Sequence, residues 1–305
     1  MARFVEFEVS PEEAGMRLDK ILMRRFPELG RKRARELCLA GRVAVEGRPA
    51  PKAALPSVGA RVSFELEGAR SAVAEAGFLD VLLERPELVV VNKPAGQPSA
   101  VLRGDERGAV VNALLARYPE MRDVGFHARE PGLVHRLDTQ TSGVLLAART
   151  REAFDALREA IESEGLTKRY LALVESQSIG AAGEIDAWLG PHPKNPRRVA
   201  SFRAGHPAAR PARSTYRVLR RSGRWALVEV EACRAYRHQV RAHLALRGSP
   251  IAGDALYGGP ELPLLGARHA LHASHVSFPG PFPEAFTVEA PLPPEFERAL
   301  EESAP

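Results

Sequence analysis

Cysteine is scarce in this chain, and its N-terminus lacks a long apolar run. The two cysteines, Cys38 and Cys233, are too few for a disulfide framework and form no Cys-x-x-Cys pair, so we expect a reducing, cytoplasmic compartment. Residues 1–10 mix Arg3, Glu6 and Glu8 with apolar side chains. We therefore expect neither a signal peptide nor a membrane span there.

Aromatic residues are also few, at 6% of the chain, while hydrophobic residues make up 45%. This composition is typical of a soluble globular protein. A length of 305 residues is enough for about two domains. The sequence shows no internal repeat.

Acidic residues are scarce in one region, residues 17–52, which hold eleven Lys and Arg against four Asp and Glu. The net charge of this region is therefore +7, more than the +5 of the whole chain. A single Arg-Lys-Arg cluster is more often a solvated helix face. Because the charge is concentrated in a small module, we favour a surface that contacts a phosphate backbone.

Two short helices followed by strands are predicted for this basic module. Apolar residues at positions 18, 21, 22 and 26 follow helical spacing, a second helical pattern covers Arg31 to Leu39, and Gly41 follows as a cap. Residues 43–48 look like a strand entering a turn, and residues 61–66 alternate as a second strand. Residues 68–78 lack sustained periodicity, which predicts a linker.

Beyond residue 78, strand-like and helical patterns alternate. Strand patterns cover residues 88–91, 143–148, 170–174, 226–231 and 285–289, and helical patterns cover residues 110–118, 151–163 and 239–247. Such a mixture indicates an α+β or α/β core. Spacing alone does not choose between the two.

Residues 194–213 form a second basic region, with six Lys and Arg, no acid and three prolines. We expect a loop that charge repulsion keeps extended. It is either a solvated loop or a flexible clamp for nucleic acid, and the sequence favours neither.

The run His135-Arg136-Leu137-Asp138 places one carboxylate in a polar cluster before an apolar strand. A carboxylate is ionised at neutral pH and can act as a nucleophile without a base to activate it. The alternative is an Asx turn, in which Asp138 caps its own backbone and Thr141, Ser142 and Gly143 complete a tight loop. Local chemistry leaves both interpretations open.

Three histidines, His269, His272 and His275, recur at intervals of three residues. On a helix the first two would share a face and could bind a metal. Residues 276–279 look like a strand, however, and a strand would send His269 and His272 to opposite faces. We therefore expect no metal site.

The Asp138 segment, extended to Thr141-Ser142-Gly143, resembles the signature of the RluA-like family of RNA pseudouridine synthases. Five further family-like motifs occur in the family's order: Val91-Asn92-Lys93-Pro94-Ala95-Gly96, Lys168-Arg169-Tyr170, His238-Gln239-Val240-Arg241-Ala242-His243-Leu244, Gly253-Asp254-Ala255-Leu256-Tyr257-Gly258 and Leu271-His272-Ala273. The resemblance therefore covers residues 79–298. The basic module resembles, more loosely, the S4 RNA-binding domain.

The resemblance implies an α+β fold, the pseudouridine synthase fold with a mixed central sheet. It implies an S4-like RNA-binding domain over residues 1–67, a linker over 68–78 and a catalytic domain over 79–305. It also implies roles for individual side chains. Asp138 would be the nucleophile, Tyr170 would lie against the uracil, and Arg241 would pair with the carboxylate.

Further residues are expected to contact substrate or RNA. The predicted substrate-binding residues are Arg136, His135, Thr141, His238 and His272. Of these, Arg136 would help to displace the target nucleotide from its stack. The predicted RNA-binding residues are Arg17, Lys20, Arg31, Lys32, Arg33, Arg35, Arg197 and Arg198.

Conversion of uridine to pseudouridine breaks the N1–C1′ bond, turns the uracil and rejoins it through C5 without redox change. Because there is no redox change, we expect no cofactor. The resemblance implies an RNA partner, with ribosomal RNA favoured over tRNA, and no obligate protein partner. The alternatives are a tRNA-directed synthase and a catalytically silent RNA-binding protein on the same fold. A glycosidase would need a second carboxylate, which the motif does not supply. Departures from the family pattern at Ala235-Tyr236-Arg237 and Gln97-Pro98-Ser99 concern the target site more than the reaction.

Overall fold

The computed structural model describes residues 2–26, 29–67, 71–232 and 234–302. For residues 2, 3, 30, 32, 66 and 67 it describes the backbone alone. Three predictions therefore lie partly outside the described residues, since Cys233, the side chain of Lys32 and the first three residues of the predicted linker are not included. The chain divides into two compact units. Unit 1 runs up to Ala72 and includes Leu102–Asp105 and His127–Arg129, and unit 2 contains the remainder.

Unit 1 combines two helices with a four-stranded antiparallel sheet. The helices are α1 (Leu18–Arg25) and α2 (Gly30–Leu39), and the strands are β1 (Ala2–Glu8), β2 (Val43–Val45), β3 (Arg48–Pro49) and β4 (Arg61–Glu67), in the order β1-β4-β2-β3. Both predicted helices and both predicted strands are present. The strand β1 was not predicted from the sequence.

The core of unit 1 follows from the helical spacing of α1. Leu18, Ile21 and Leu22 are fully buried, and they belong to one apolar cluster with Val43 and Phe64 of the sheet. Positions three and four apart share one face of a helix. The basic residues of α1 are thereby left on its other faces.

A partly buried ion pair joins the end of α1 to the segment that precedes the helix. The Glu13 carboxylate accepts hydrogen bonds from Nε and Nη2 of Arg25, both at 2.7 Å, and from the backbone N–H of Ser10 at 2.8 Å. The hydrogen bonds from Arg25 lower the pKa of Glu13 to about 2, against the opposing effect of burial. Only 4% of the Glu13 side chain is exposed.

Unit 2 is built on a ten-stranded mixed sheet, counted over the described residues. Its strands are β5 (Val81–Glu84), β6 (Leu88–Lys93), β7 (Ser142–Ala148), β8 (Thr167–Glu175), β9 (Ala182–Pro191), β10 (Val199–Phe202), β11 (Arg210–Ser222), β12 (Trp225–Glu231), β13 (Leu271–Phe278) and β14 (Phe286–Glu289). The order is β10-β9-β11-β12-β8-β13-β7-β6-β5, with β14 paired to β13. The predicted α+β fold with a mixed central sheet is confirmed.

One parallel contact makes this sheet mixed. Strands β7 and β13 run parallel, with His272 opposite Ser142 and Ala273 opposite Gly143, whereas the other paired strands described are antiparallel. Gly143 has φ +109°, and a Cβ there would lie 2.1 Å from the carbonyl oxygen of Ala273. Glycine is therefore required for the two strands to approach this closely.

Four helices accompany the sheet: α3 (Val110–Arg117), α4 (Arg151–Glu162), α5 (Gln239–Leu246) and α6 (Pro294–Glu302). The hydroxyl of Thr150 caps α4 by accepting the N–H of Ala153. Phe154 and Leu157 of α4 are buried in one cluster with Leu146 of β7. The three helices predicted in this region are confirmed as α3, α4 and α5. No helix in the described part of the chain is long and apolar enough to span a membrane.

The prediction of an extended loop over residues 194–213 was wrong. This segment contributes β10 and the start of β11, which form antiparallel pairs with β9 on either side. We call residues 194–213, which include β10 and the start of β11, the basic sheet edge. Most of its charged residues and prolines lie in the turns before and after β10, and that composition is typical of a loop.

The described part of the predicted linker, residues 71–78, contains no helix or strand but makes specific hydrogen bonds. The N–H of Ala72 donates to the carbonyl of Ala128, the side chain of Asn112 donates to the carbonyl of Val73, and Glu75 accepts the N–H of Gly108. This part of the segment is therefore anchored rather than free.

Candidate active site

A tight turn before β7 holds Asp138. The N–H of Thr141 donates to the carbonyl oxygen of Asp138 at 3.0 Å, which closes the turn. The Thr141 hydroxyl lies 2.8 Å from Nε2 of His269, and the Ser142 hydroxyl lies 2.8 Å from Nδ1 of His272. The backbone oxygen of Asp138, and not its side chain, closes the turn, so the Asx turn considered from the sequence is not what the described residues form. The Asp138 carboxylate is left partly exposed, at 26%, for other contacts.

Arg241 of α5 contacts this carboxylate. Its Nη1 donates to Oδ2 of Asp138 at 2.7 Å, and only 8% of the Arg241 side chain is exposed. A charge-assisted hydrogen bond of this length, away from bulk water, is among the stronger polar interactions in proteins. The structure thus brings together two residues that lie 103 positions apart.

A second carboxylate holds the other edge of the same guanidinium. Nε and Nη2 of Arg241 donate to Oδ2 and Oδ1 of Asp254 at 2.7 and 2.8 Å, and 1% of the Asp254 side chain is exposed. Although burial alone would lower the pKa of Arg241, the hydrogen bonds and charges of Asp254 and Asp138 raise it above its usual value. Arg241 therefore remains a fixed cation between two anions.

His238 and Tyr257 lie beside the carboxylate–arginine pair. His238 Nε2 is 3.6 Å from Oδ2 of Asp138, and its Nδ1 is 3.1 Å from the Tyr257 hydroxyl. The Tyr257 hydroxyl accepts the backbone N–H of Val199 at 2.9 Å. The guanidiniums of Arg198 and Arg241 lie 4.9 and 5.2 Å from the centre of the Tyr257 ring. The basic sheet edge is thereby joined to the site.

Tyr170 of β8 is buried, with 6% of its surface exposed. Burial, together with the negative charge of Asp138, raises the pKa of the Tyr170 phenol above its usual value. The strand β8 lies next to β13, with Tyr170 opposite Ala273. Tyr170 is therefore a protonated phenol within the electrostatic field of Asp138.

Lys93 is a fully buried lysine at the end of β6. Its Nζ donates to the carbonyl oxygens of Pro94, Gln97 and Thr139 at 2.9, 2.8 and 3.1 Å. Burial lowers the pKa of Lys93 to about 7, while the charge of Asp138 acts in the opposite direction. Because Thr139 follows Asp138 directly, Lys93 ties the carboxylate turn to the loop after β6.

The other predicted substrate-binding residues take different positions. Arg136 is exposed and pairs with Glu130 at 2.9 Å. His135 accepts the N–H of Leu146, and burial lowers its pKa to about 3. His272 is 1% exposed and is hydrogen-bonded to Ser142, so it stabilises the turn from the buried side. Thr141 is likewise buried.

No group of three His, Cys, Asp or Glu side chains in the described residues could hold a metal ion. The three histidines considered from the sequence instead have separate polar neighbours. His269 lies against the Thr141 hydroxyl, His272 against that of Ser142, and His275 against Glu289 at 3.3 Å.

The predicted RNA-binding residues differ in exposure. Lys20, Arg31, Arg35 and Arg197 are exposed. Arg17 makes a two-pronged contact with Asp19, and Arg33 lies 3.9 Å from Glu36. Arg198 is half-buried over the Tyr257 ring. For Lys32 only the backbone is described.

Three residues of the site were not predicted, although each lies in a motif that was noted. Lys93 is in the Asn-Lys-Pro-Ala-Gly run, and Asp254 and Tyr257 are in the Gly-Asp-Ala-Leu-Tyr-Gly run. A buried lysine or aspartate is rare unless it is paired or fully hydrogen-bonded. In each motif a single charged residue, Lys93 or Asp254, lies among uncharged residues close to a glycine, and this was the available sequence signal.

A mixed α+β sheet with an arginine-held carboxylate places this protein in a class of RNA-modifying isomerases. The chain belongs to the RNA pseudouridylate synthase family, whose model matches residues 87–246, more than half of its length. It is 37% identical to an uncharacterized RNA pseudouridine synthase of Chloroflexus aurantiacus, over 96% of this chain and 91% of that protein.

Two further similarities agree with this assignment. The chain is 32% identical to ribosomal large subunit pseudouridine synthase D of Yersinia pestis, over 87% of this chain and 84% of that protein. Among solved structures, human RNA pseudouridylate synthase domain containing 4 aligns with a TM-score of 0.56 and 25% identity, covering 73% of this chain and 92% of that one. The predicted family and the predicted enzyme class are confirmed.

Proposed function

We propose that this protein isomerises uridine to pseudouridine in ribosomal RNA, with Asp138 as the nucleophile. One observation carries the proposal: the Asp138 carboxylate is partly exposed, while Arg241, which holds it, and Asp254, which holds Arg241, are buried. A carboxylate presented in this way can reach a substrate without losing its position.

The chemistry follows from the charges of the site. As the N1–C1′ bond breaks, positive charge develops on the ribose, and a carboxylate beside C1′ stabilises or traps it, as in glycoside cleavage. Because Asp254 offsets the charge of Arg241, the group of three side chains keeps a net negative charge towards the ribose. Tyr170, whose raised pKa keeps the phenol protonated, would lie against the uracil as a hydrogen-bond donor and not as the base that takes the C5 proton.

Ribosomal RNA is the proposed substrate because several relatives over 30% identical carry that assignment in their names, including those of Yersinia pestis and Xanthomonas campestris. We propose that unit 1 acts as an S4-like RNA-binding domain. Its exposed basic residues on α1 and α2, Lys20, Arg31 and Arg35, would contact phosphates. The exposed Arg136 beside the turn would help to displace the target nucleotide.

Replacement of Asp138 by Asn tests the nucleophile. The change removes the charge with little change of volume, so uridine isomerisation should be abolished while the fold and RNA affinity remain. Release of tritium from C5-labelled uridine in ribosomal RNA measures the reaction. Asp155→Asn, which alters an exposed carboxylate on α4, is the matched control. Turnover by the Asp138→Asn protein close to that of the parent would refute the assignment.

The RNA target has a separate test. Pseudouridine mapped by mass in total RNA, from cells with and without the protein, should show the loss of one or more ribosomal positions. Loss confined to tRNA would contradict the proposed substrate but not the reaction.

A further inference from the structure

His238 has an unusual backbone conformation at the start of α5. It is the residue before the first turn of the helix, with φ 56° and ψ 15°. A non-glycine residue with positive φ is uncommon, and such residues often occur at functional sites. The side chain of His238 is 10% exposed, with Asp138 and Tyr257 on its two sides.

The hydrogen bonds of Tyr257 determine where the His238 proton lies. The backbone N–H of Val199 can only donate, so the Tyr257 oxygen accepts from it at 2.9 Å. Among the residues that the structure describes, the Tyr257 O–H then has one neighbouring acceptor, Nδ1 of His238 at 3.1 Å. If Nδ1 carried the imidazole proton, the buried Tyr257 O–H would have no acceptor, which is costly. The neutral ring therefore carries its proton on Nε2.

The Nε2–H of His238 faces Oδ2 of Asp138 at 3.6 Å. That oxygen already accepts Nη1 of Arg241 at 2.7 Å. Both donors thus lie on the side of Oδ2, and within the described residues no hydrogen bond to Oδ1 is present. The Nε2–Oδ2 distance of 3.6 Å is longer than a hydrogen bond, so the N–H acts on Oδ2 through electrostatic attraction.

We propose that His238 is a positioning residue whose Nε2–H, fixed by Tyr257, holds Oδ2 of Asp138 and leaves Oδ1 as the oxygen that attacks the ribose. This inference rests on the proposed role of Asp138 as nucleophile. It assigns to His238 an action on the carboxylate rather than on the uracil. It also gives the link from Val199 to Tyr257 a function, because the basic sheet edge then fixes the imidazole tautomer.

The charges around His238 agree with a neutral ring. Burial lowers the pKa of His238 to about 4; Asp138 and Asp254 act to raise it, and Arg241 and Arg237 to lower it. At neutral pH the imidazole is therefore uncharged and offers one N–H. A neutral donor can orient the carboxylate without adding a second cation to the site.

The tautomer can be measured without any assay of activity. Long-range proton–nitrogen spectra of the intact protein with ¹⁵N-labelled histidine distinguish a protonated Nε2 from a protonated Nδ1. We expect His238, assigned by its loss in a His238→Gln protein, to be protonated at Nε2. In Tyr257→Phe, which removes the O–H and keeps the ring, Nδ1 should lose its hydrogen bond and shift. A protonated Nδ1 in the parent protein would overturn the proposal.

A pair of variants tests the positioning role. Gln and Met are unbranched and of similar length, but only Gln offers an N–H, so His238→Gln and His238→Met differ mainly in the donor. Loss of orientation at a reacting group costs up to about 100-fold, and we expect kcat of the Met variant to fall about 10-fold to 100-fold with KM for ribosomal RNA unchanged. The Gln variant should recover part of the loss.

Three comparisons complete the test. His275→Met, at a histidine that contacts Glu289, should leave kcat unchanged. Tyr257→Phe should lower kcat and, because Val199 loses its acceptor, also raise KM. Equal kcat for the Gln and Met variants, with thermal unfolding that matches the parent, would overturn the positioning role. If Asp138→Asn were active, the nucleophile assignment would fail while the tautomer result would stand on its own.

Discussion

Arg241 presents two parallel N–H groups to Asp254, at 2.7 and 2.8 Å, and turns its remaining terminal nitrogen to Asp138. A fork of this kind fixes the guanidinium in its plane. Asp254, which does not itself contact Asp138, therefore sets the direction of the hydrogen bond from Arg241 to Asp138. A lysine at position 241 could not make both contacts in this geometry.

Asp254→Asn should impair the reaction and the stability together. The change removes one partner of a buried ion pair, which costs roughly 3 kcal/mol of unfolding free energy, and it frees Arg241 to rotate away from Asp138. We expect a lower kcat and a lower midpoint in denaturant unfolding. Asp186→Asn, at an exposed carboxylate on β9, is the control. A variant with parental kcat would show that Arg241 does not need Asp254 for its orientation.

Glu13 should make the stability of unit 1 depend on pH in the acid range. Its pKa falls from 4.5 in the unfolded chain to about 2 in the fold, so its contribution is complete above pH 4.5 and is lost as the pH falls towards 2. A shift of this size corresponds to about 3 kcal/mol. Glu13→Gln should remove that contribution at neutral pH, and hydrogen exchange of the α1 amides measures the loss.

The neighbouring residue supplies the matched control for this prediction. Glu12 pairs with Arg24 at 2.9 Å, but its side chain is 78% exposed. Exposed ion pairs contribute little because water screens them. Glu12→Gln should therefore leave α1 exchange unchanged, and equal effects of the two substitutions would mean that burial of Glu13 is not the cause.

The basic face of α2 should contribute to RNA affinity through charge. Arg31 and Arg35 are exposed, four residues apart, and flank the exposed Leu39 in a shallow groove with Glu36. Each lost phosphate contact lowers the slope of log affinity against log salt by about 0.7 to 0.9. The double variant Arg31→Ala and Arg35→Ala should flatten the slope by up to twice that amount. Arg151→Ala, on α4, should not alter it, and an unchanged slope in the double variant would assign these arginines to a solvated face.

Gly143→Ala should disrupt the sheet. A Cβ at this position would lie 2.1 Å from the backbone of Ala273, where neither strand can move without breaking its pairing. We expect a loss above about 4 kcal/mol, in the range of severe core substitutions. Gly248→Ala is the control, because Gly248 also has a positive φ, +79°, but nothing lies within 4 Å of its Cβ position. Similar losses of unfolding free energy for both variants would mean that the positive φ, and not the contact with Ala273, is the cause.

The sequence predicted the helices well and the sheet only in part. The helix α4 has regular spacing and a Thr150 cap, so local signals were sufficient. The strand β9 was missed because it begins with Ala-Gly and ends with Gly-Pro, and β10 was taken for a loop because it is only four residues long and lies between basic, proline-containing turns. Their strand character arises from pairing with each other and with β11, which no local window contains.

The same limit applies to the site. Its motifs identified Asp138, Tyr170 and Arg241, but their spacing gave no indication that Arg241 would bridge to Asp254. Nor could it show that His135, next to Arg136 in the chain, would turn towards Leu146 instead of Asp138. Such choices depend on which side chains the folded sheet buries, and burial is a property of the assembled core.

The parallel contact between β7 and β13 bears on how this protein is made. Ser142 and His272 lie 130 residues apart, and their hydrogen bond fixes the end of the turn that carries Asp138. Arg241 and Asp254 lie between them in the chain. During synthesis the ribosome must therefore release nearly all of unit 2 before this turn is held in place. A partly synthesised chain therefore contains the whole basic module before it contains an organised reaction centre.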